Sequence, residues 1–226
     1  FRETVFQWND FNDEEELANT TKPFINALVD NKQQIMKVAK IPSDVYNQIA
    51  RMAFGIYGTE SNYGDTHSAV GNFGRAVQKW WDPENSSSPD VLSKATTYGA
   101  SEDFRSVGYT QLRWSYLNDR EKEALAELGI SSNMDLLNPE KAAIATATVL
   151  GIRYNEQLTP SQKKDMWTYL PTKWNKRSNY SSRVKSNARF LTFDQFDRME
   201  QGGEMNNNLQ IYKDYIDGVY DGTVMQ

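Results

Sequence analysis

Apolar residues recur at helical spacing over several stretches of this chain of 226 residues. The pattern predicts one helix over residues 21–36, a second that carries residues 49–60, and a third from Asn118 to Gly129. Asn138-Pro139-Glu140 then starts an Ala-rich helix that is apolar on nearly all faces, and residues 209–219 predict a last amphipathic helix. Residues 107–114 are rich in β-formers and predict a short strand or hairpin. The pattern therefore indicates a mainly α fold with a small β element.

Glu60 interrupts the apolar pattern of the second helix. It shares one helix face with four apolar residues, namely Ile49, Met52, Ala53 and Ile56. Burial disfavours the charged form of a carboxyl group, which would tune Glu60 toward a proton donor at neutral pH. The alternative is an ordinary exposed glutamate where the helix frays into residues 61–64. Gly55 and Gly58 in the same helix would let another backbone or a ligand approach closely.

Composition narrows the chemistry that is available. The chain has no cysteine and one histidine, His67, which argues against a thiolate zinc site, a histidine-based triad and a multi-histidine metal site. No apolar run approaches the roughly 20 residues that span a bilayer, so we expect a soluble chain without membrane insertion. The net charge of -5 argues against a general nucleic-acid binder. Because the chain begins at Phe1, we expect a processed or excised piece of a longer protein.

Positive charge is concentrated in one stretch that contains no acid, residues 166–193. Its basic residues lie beside Trp174 and Tyr180 and are Lys173, Lys176, Arg177, Arg183, Lys185 and Arg189. A groove wall for an anionic polymer and an ordinary solvated face both fit this pattern. A nucleic-acid-binding helical domain would rest on this stretch alone.

Four motifs in one order carry a resemblance to a known family. An apolar helix ends in Glu60-Ser61, residues 108–111 read Gly-Tyr-Thr-Gln, and Asn-Pro-Glu opens an Ala-rich helix. Trp174-Asn175 and then Tyr180 with Arg183-Val184 follow. This order resembles the lysozyme-like superfamily, above all the soluble lytic transglycosylases and the goose-type lysozymes. The resemblance implies that Glu60 is the catalytic acid and that the 108–111 segment lines the sugar cleft opposite it.

The resemblance covers about residues 43–190 and departs from the family pattern at three places. The stretch between Glu60 and Gly108 is longer, Tyr109-Thr110 replaces Leu-Met, and Trp174 stands where the family has a tyrosine. We expect a catalytic domain over residues 43–193 with an irregular insertion at 64–105. Residues 1–42 would be an N-terminal helical extension, and residues 194–226 an acidic helical segment packed on the domain.

The resemblance implies cleavage of the β-1,4 bond between N-acetylmuramic acid and N-acetylglucosamine in peptidoglycan. In lytic transglycosylases of this family the sugar's own N-acetyl group and 6-hydroxyl replace a second carboxylate, so Glu60 suffices. A hydrolytic muramidase of the same fold is one alternative, with Asp65, Glu102 or Asp103 as the second acid. A non-catalytic glycan-binding or structural tail module is another. An open cleft with Gln111 across from Glu60 would argue against that module.

The implied substrate-binding residues combine hydrogen-bonding and ring-stacking side chains, and core packing is the alternative role for each aromatic. They are Ser61, Tyr63, Gly108, Tyr109, Gln111, Trp174, Asn175 and Tyr180. No metal or other cofactor is expected. The expected partners are peptidoglycan strands and other virion or tail proteins. The expected location is a phage tail acting in the bacterial cell wall, with the bacterial periplasm or exterior as the alternative.

Overall fold

The described part of the chain is almost entirely helical. A computed structural model describes residues 21–61, 106–189 and 191, and for Ser106 and Val107 the backbone only. Within these residues the α-helices are α1 (Lys22–Asp30), α2 (Lys32–Ala39), α3 (Ser43–Ser61), α4 (Asp119–Glu127), α5 (Pro139–Gln157), α6 (Pro160–Lys164), α7 (Met166–Trp174) and α8 (Tyr180–Ala188). Short 3₁₀ turns occupy Trp114–Tyr116 and Asn133–Leu137. The predicted mainly α class is confirmed. Of the described helices, none is long and apolar enough to cross a membrane.

A minimal β ladder lies between α3 and α4. Strand β1 (Ser106–Val107) pairs antiparallel with β2 (Leu112–Arg113), so that only two residue pairs face each other. The chain reverses through Gly108, whose φ is 73°, and Gln111, whose φ is 51°. A Cβ atom at Gly108 would lie 2.1 Å from the Leu136 carbonyl oxygen, so both the turn and the close approach require glycine here.

Capping signals that the sequence predicted start α4 and α5. The Asn118 side chain accepts from the N–H of Glu121, and the Glu121 carboxylate accepts from the N–H of Asn118, so a capping box opens α4. The Asn138 side chain caps α5, and Pro139 occupies its first turn. Both predicted helix starts are confirmed.

One predicted helix is wrong in its extent, because the stretch over residues 21–36 forms two helices. The chain leaves helical geometry at Asn31, where φ is -100° and ψ is 8°. The Asn31 side-chain amide donates to the Ala27 carbonyl oxygen at 3.0 Å. Asparagine offers the backbone such local alternatives to a helix, which explains the break.

Helix α5 lies at the centre of the core. Its residues from Ala142 to Arg153 are buried apart from Ile144, and α1, α2, α3 and α7 pack around it. A Cβ atom at Gly151 would lie 2.7 Å from the Cβ of Ala39, so a glycine lets α5 approach the end of α2. The predicted helix buried in the middle of the domain is confirmed. Helices α1 and α2 share this core with α3, while the division at residue 42 stays a prediction.

Three predicted features lie outside the described residues. These are residues 1–20 of the N-terminal extension, the insertion over residues 64–105 and the amphipathic helix over residues 209–219.

Candidate active site

Glu60 lies in the last turn of α3 and is half-buried. The helix continues through Gly55 and Gly58 to Ser61, so Glu60 itself is helical. The Ser61 hydroxyl is fully buried and donates to the Tyr57 carbonyl oxygen at 2.9 Å. This bond closes the last described turn of α3, which carries Glu60.

Burial raises the pKa of Glu60 above its ordinary value of 4.5. Four neighbouring groups act in the opposite direction: the polar side chains of Tyr180 and Asn175 and the positive charges of Arg183 and Arg177. Desolvation is the largest of these effects, and it prevails. Glu60 is therefore a carboxyl group that holds its proton more strongly than a solvated glutamate does.

Helix α8 brings two of these groups to Glu60 by crossing α3 at Gly55. A Cβ atom at Gly55 would lie only 2.3 Å from the Val184 carbonyl oxygen, so the crossing requires glycine. The close approach of another backbone that the sequence predicted at Gly55 is confirmed. One turn further along α3, an Arg183 Nη2–H donates to the Thr59 carbonyl oxygen at 3.3 Å, and the Asn187 amide donates to the Thr59 hydroxyl at 2.9 Å.

Tyr180, the first residue of α8, is buried beside the Glu60 carboxyl group. Burial and then the charge of Glu60 raise the pKa of Tyr180, so its phenol stays protonated at any physiological pH. Within the described residues the hydroxyl has no partner at standard hydrogen-bond geometry. It nevertheless lies close enough to the Glu60 carboxyl group to lower the pKa of that group, as a phenol donor does.

Asn175, the residue that follows α7, reaches Glu60 from the same side. Its side-chain oxygen accepts from the Arg177 N–H at 3.2 Å. This bond directs the side-chain NH₂ group away from the 175–177 turn and leaves it available to the carboxyl group. Tyr180 and Asn175 thus supply two neutral donors beside one half-buried acid.

The 108–111 segment is tied to the same end of α7 that Asn175 follows. The Trp174 Nε1–H donates to the Thr110 carbonyl oxygen at 3.0 Å, and the Thr146 hydroxyl donates to the Thr110 hydroxyl at 2.8 Å. The Tyr109 ring lies 6.1 Å from the ring of Tyr57, one helical turn before Glu60. The loop between β1 and β2 therefore contacts α3, α5 and the end of α7 near the candidate acid.

The predicted binding residues have different surroundings. Asn175 and Tyr180 contact Glu60, while the Trp174 indole N–H is already bonded to Thr110. The Gln111 side-chain amide donates to the Gly108 carbonyl oxygen at 2.9 Å. Tyr63 and the candidate second acids, Asp65, Glu102 and Asp103, lie outside the described residues.

A buried ion pair between Arg153 and Glu121 supports the end of α7 next to the site. It was not predicted from the sequence. The Arg153 Nε–H donates to Glu121 Oε1 at 2.6 Å, with side-chain exposures of 9% and 1%. An Arg153 Nη1–H also donates to the Lys173 carbonyl oxygen at 2.8 Å, and the guanidinium lies 5.7 Å from the Trp174 ring centroid. Arg153 thereby holds the end of α7, just before Asn175. The sequence feature that could have indicated this pair is a single arginine next to the apolar residues at the centre of α5.

A cavity of about 300 Å³ lies elsewhere, at the start of α1. Asn26, Asp30 and Glu140 are among its lining residues, and none of the groups around Glu60 lines it. We therefore place the candidate chemistry at Glu60, where the perturbed carboxyl group lies, and not at this cavity. No group of three His, Asp or Glu side chains within residues 21–61 and 106–189 could hold a metal ion.

Comparison with protein-family models, with curated proteins and with solved structures gives no match. The residues that bear most directly on the function are Glu60 and the four groups around its carboxyl, Asn175, Arg177, Tyr180 and Arg183.

Proposed function

We propose that this chain is a peptidoglycan lytic transglycosylase in which Glu60 is the only catalytic carboxyl group. The observation that carries the proposal is a half-buried glutamate with a raised pKa at the end of a core helix, beside two neutral donors and two arginines. The order of the motifs around Glu60-Ser61, residues 108–111 and Asn138-Pro139-Glu140 also supports it, because it resembles that of the soluble lytic transglycosylases.

Glu60 would act first as a general acid. Its proton passes to the glycosidic oxygen that leaves with N-acetylglucosamine, and an oxocarbenium-like centre develops on the muramic acid ring. The transfer leaves a carboxylate, which the charges of Arg177 and Arg183 and the polar groups of Asn175 and Tyr180 favour. Burial therefore keeps the proton on Glu60 before the reaction, and these neighbours stabilise the anion that its release creates.

The substrate itself would supply the groups that complete the reaction. The N-acetyl oxygen stabilises the anomeric carbon, the 6-hydroxyl oxygen then bonds to it, and the 6-hydroxyl proton returns to Glu60. An internal group of this kind can reach an effective concentration of about 10⁵ M or more, so it outcompetes water that no base holds in place. Within the described residues, the charges that act on Glu60 are arginines and no carboxylate is among them.

A two-carboxylate muramidase is the alternative enzyme, and it depends on Asp65, Glu102 or Asp103. A non-catalytic glycan-binding or structural module is the alternative without chemistry. For the enzyme we propose peptidoglycan strands as substrate and no cofactor. We further propose a phage tail acting in the cell wall as its location, with the bacterial periplasm as the second choice.

Digestion of purified peptidoglycan by the wild type, Glu60→Gln and Glu156→Gln tests the proposal. Glutamine keeps the shape of Glu60 without a transferable proton, so release of muropeptides should fall by about 10²- to 10⁴-fold. Glu156 is exposed near the end of α5, so Glu156→Gln should digest like the wild type and is the matched control. Mass spectrometry of the wild-type products should find 1,6-anhydro-N-acetylmuramic acid ends.

Each other result points to a different function. Retained activity in Glu60→Gln would remove Glu60 from the catalytic role. Reducing ends alone, lost in Asp65→Asn or Asp103→Asn, would identify a muramidase. If the wild type releases no product from several types of peptidoglycan, the result would favour the non-catalytic module.

A further inference from the structure

Two arginines beside Glu60 have no ion-pair partner among the described residues. Arg177 and Arg183 are exposed, and neither forms an ion pair with any carboxylate in the described part of the chain. Both arginines act on Glu60, which burial keeps protonated more readily than a solvated glutamate. Before reaction the site therefore holds two positive charges that no ion pair within residues 21–61 and 106–189 balances.

The positions of these arginines follow from contacts with the ends of α3 and α7. The Arg183 guanidinium donates one N–H to the Thr59 carbonyl oxygen, which holds the group one residue before Glu60 in the chain. A guanidinium has five N–H donors, so most of them stay available. The Arg177 backbone N–H is bonded to the side chain of Asn175, which itself contacts Glu60. The Arg183 guanidinium is thus anchored next to the acid by a hydrogen bond, whereas Arg177 is held there through its backbone and acts on Glu60 by its charge.

Two further features of the same place favour an anion. Arg177 comes shortly before α8, whose N-terminus begins at Tyr180, and the helix dipole attracts negative charge there. The Tyr180 hydroxyl, buried at this N-terminus, has no standard hydrogen-bond partner among the described residues. Two cations, a helix N-terminus and the buried Tyr180 hydroxyl therefore lie together beside Glu60.

We propose that Arg177 and Arg183 form a subsite for a carboxylate on the lactyl side-arm of the muramic acid that Glu60 attacks. This inference rests on the proposed function and names the substrate feature that the site selects. The carboxylate has two sources, because the lactyl group carries it directly in strands without peptides and the attached peptide carries it in intact strands. A neutral chitin oligosaccharide has neither. The subsite therefore distinguishes muramic acid strands from other β-1,4-linked N-acetylhexosamine chains.

The test measures binding by calorimetry in the full chain with Glu60→Gln, so that no ligand is consumed. The ligands are chitin oligosaccharides, glycan strands freed of peptides by an amidase, and strands that keep their peptides, all of matched length. Arg177→Gln with Arg183→Gln removes the two charges. Lys164→Gln removes one charge at the end of α6, at an exposed position outside the basic stretch 166–193 with no described contact to Glu60, and is the control.

We expect both kinds of muramic acid strand to bind more tightly than the chitin oligosaccharide. The double arginine variant should lose about tenfold in affinity for at least one kind of strand, since each exposed charge pair contributes about two- to fivefold. Its affinity for chitin oligosaccharides should stay the same, and Lys164→Gln should bind all three ligands like its parent. A loss confined to peptide-free strands identifies the lactyl carboxylate, and a loss confined to intact strands identifies the peptide.

Two results would overturn the subsite. One is an unchanged affinity of the double arginine variant for both kinds of strand, and the other is an equal loss for strands and chitin oligosaccharides. If the wild type still digests peptidoglycan, either result leaves the proposed function standing. Absence of binding to all three ligands, together with absence of digestion, would overturn both proposals.

Discussion

Replacing Gly55 by alanine tests whether the contact between α3 and α8 organises the candidate site. The new Cβ atom would lie 2.3 Å from the Val184 carbonyl oxygen, whereas ordinary contacts begin at 3.4 Å. Helix α8 must therefore move away by about 1 Å, because a backbone carbonyl cannot rotate aside as a flexible side chain can. Tyr180 and Arg183 lie on α8, so both would move relative to Glu60.

The magnitude follows from two opposed effects on stability and one on activity. Overpacking costs typically about 1–3 kcal/mol, and a contact with backbone belongs at the upper end of that range. Alanine in a helix recovers about 1 kcal/mol relative to glycine. A net loss of about 2 kcal/mol lowers the Tm by about 4–8 °C in a chain of this size. A displacement of 1 Å in a catalytic group can reduce the rate by about 100-fold.

Gly151→Ala is the matched control for this prediction. Its Cβ atom would lie 2.7 Å from the Cβ of Ala39, so it overpacks the contact between α5 and the end of α2, where no group that acts on Glu60 lies. Thermal unfolding and peptidoglycan digestion should be measured on both variants. We expect both to lose stability and only Gly55→Ala to lose about 100-fold in activity below its Tm. Wild-type stability and activity in Gly55→Ala would refute the proposed role of this crossing.

Three further predictions concern charge. Burial raises the pKa of Glu60 above 4.5, so the folded state loses stability as pH rises from about 4.5 through the pKa of the folded state and Glu60 becomes charged. At pH 8, Glu60→Gln should therefore unfold at a higher urea concentration than the wild type. This difference in stability should shrink toward pH 4. Burial alone would raise the pKa of Asp135, but Lys141 and two backbone N–H groups hold it at about 2 against an ordinary 3.8. Asp135→Asn should therefore have a lower free energy of unfolding than the wild type at pH 6, and the difference should shrink as pH falls from about 4 to 2. An equal difference at pH 6 and pH 2 would contradict this. Arg153→Met leaves the Glu121 carboxylate buried without its partner and should cost about 3–5 kcal/mol in urea unfolding. Adding Glu121→Leu should recover part of that loss, whereas a further loss of similar size would argue against the pair.

Features that depend on a few neighbouring residues were predicted from the sequence. The capped starts of α4 and α5 are examples, since a cap joins groups three residues apart. The burial of α5 also followed from its composition, because a helix that is apolar on nearly all faces has no face for water. Asn31 shows the limit of this reasoning, since periodicity continued through a residue whose side chain bonds its own backbone.

The candidate acid itself could be identified from the pattern, because a carboxyl group on an apolar helix face is conspicuous in the sequence. What surrounds that carboxyl group could not. Arg183 forms a hydrogen bond with Thr59, which lies 124 positions away in the sequence, and Arg153 forms one with Glu121, which lies 32 positions away. Such pairs depend on which helices cross and at what distance, and periodicity within one helix carries no information about its partner. Gly55 permitted a close crossing, but only the packing of α8 against it brought Tyr180 and Arg183 to Glu60.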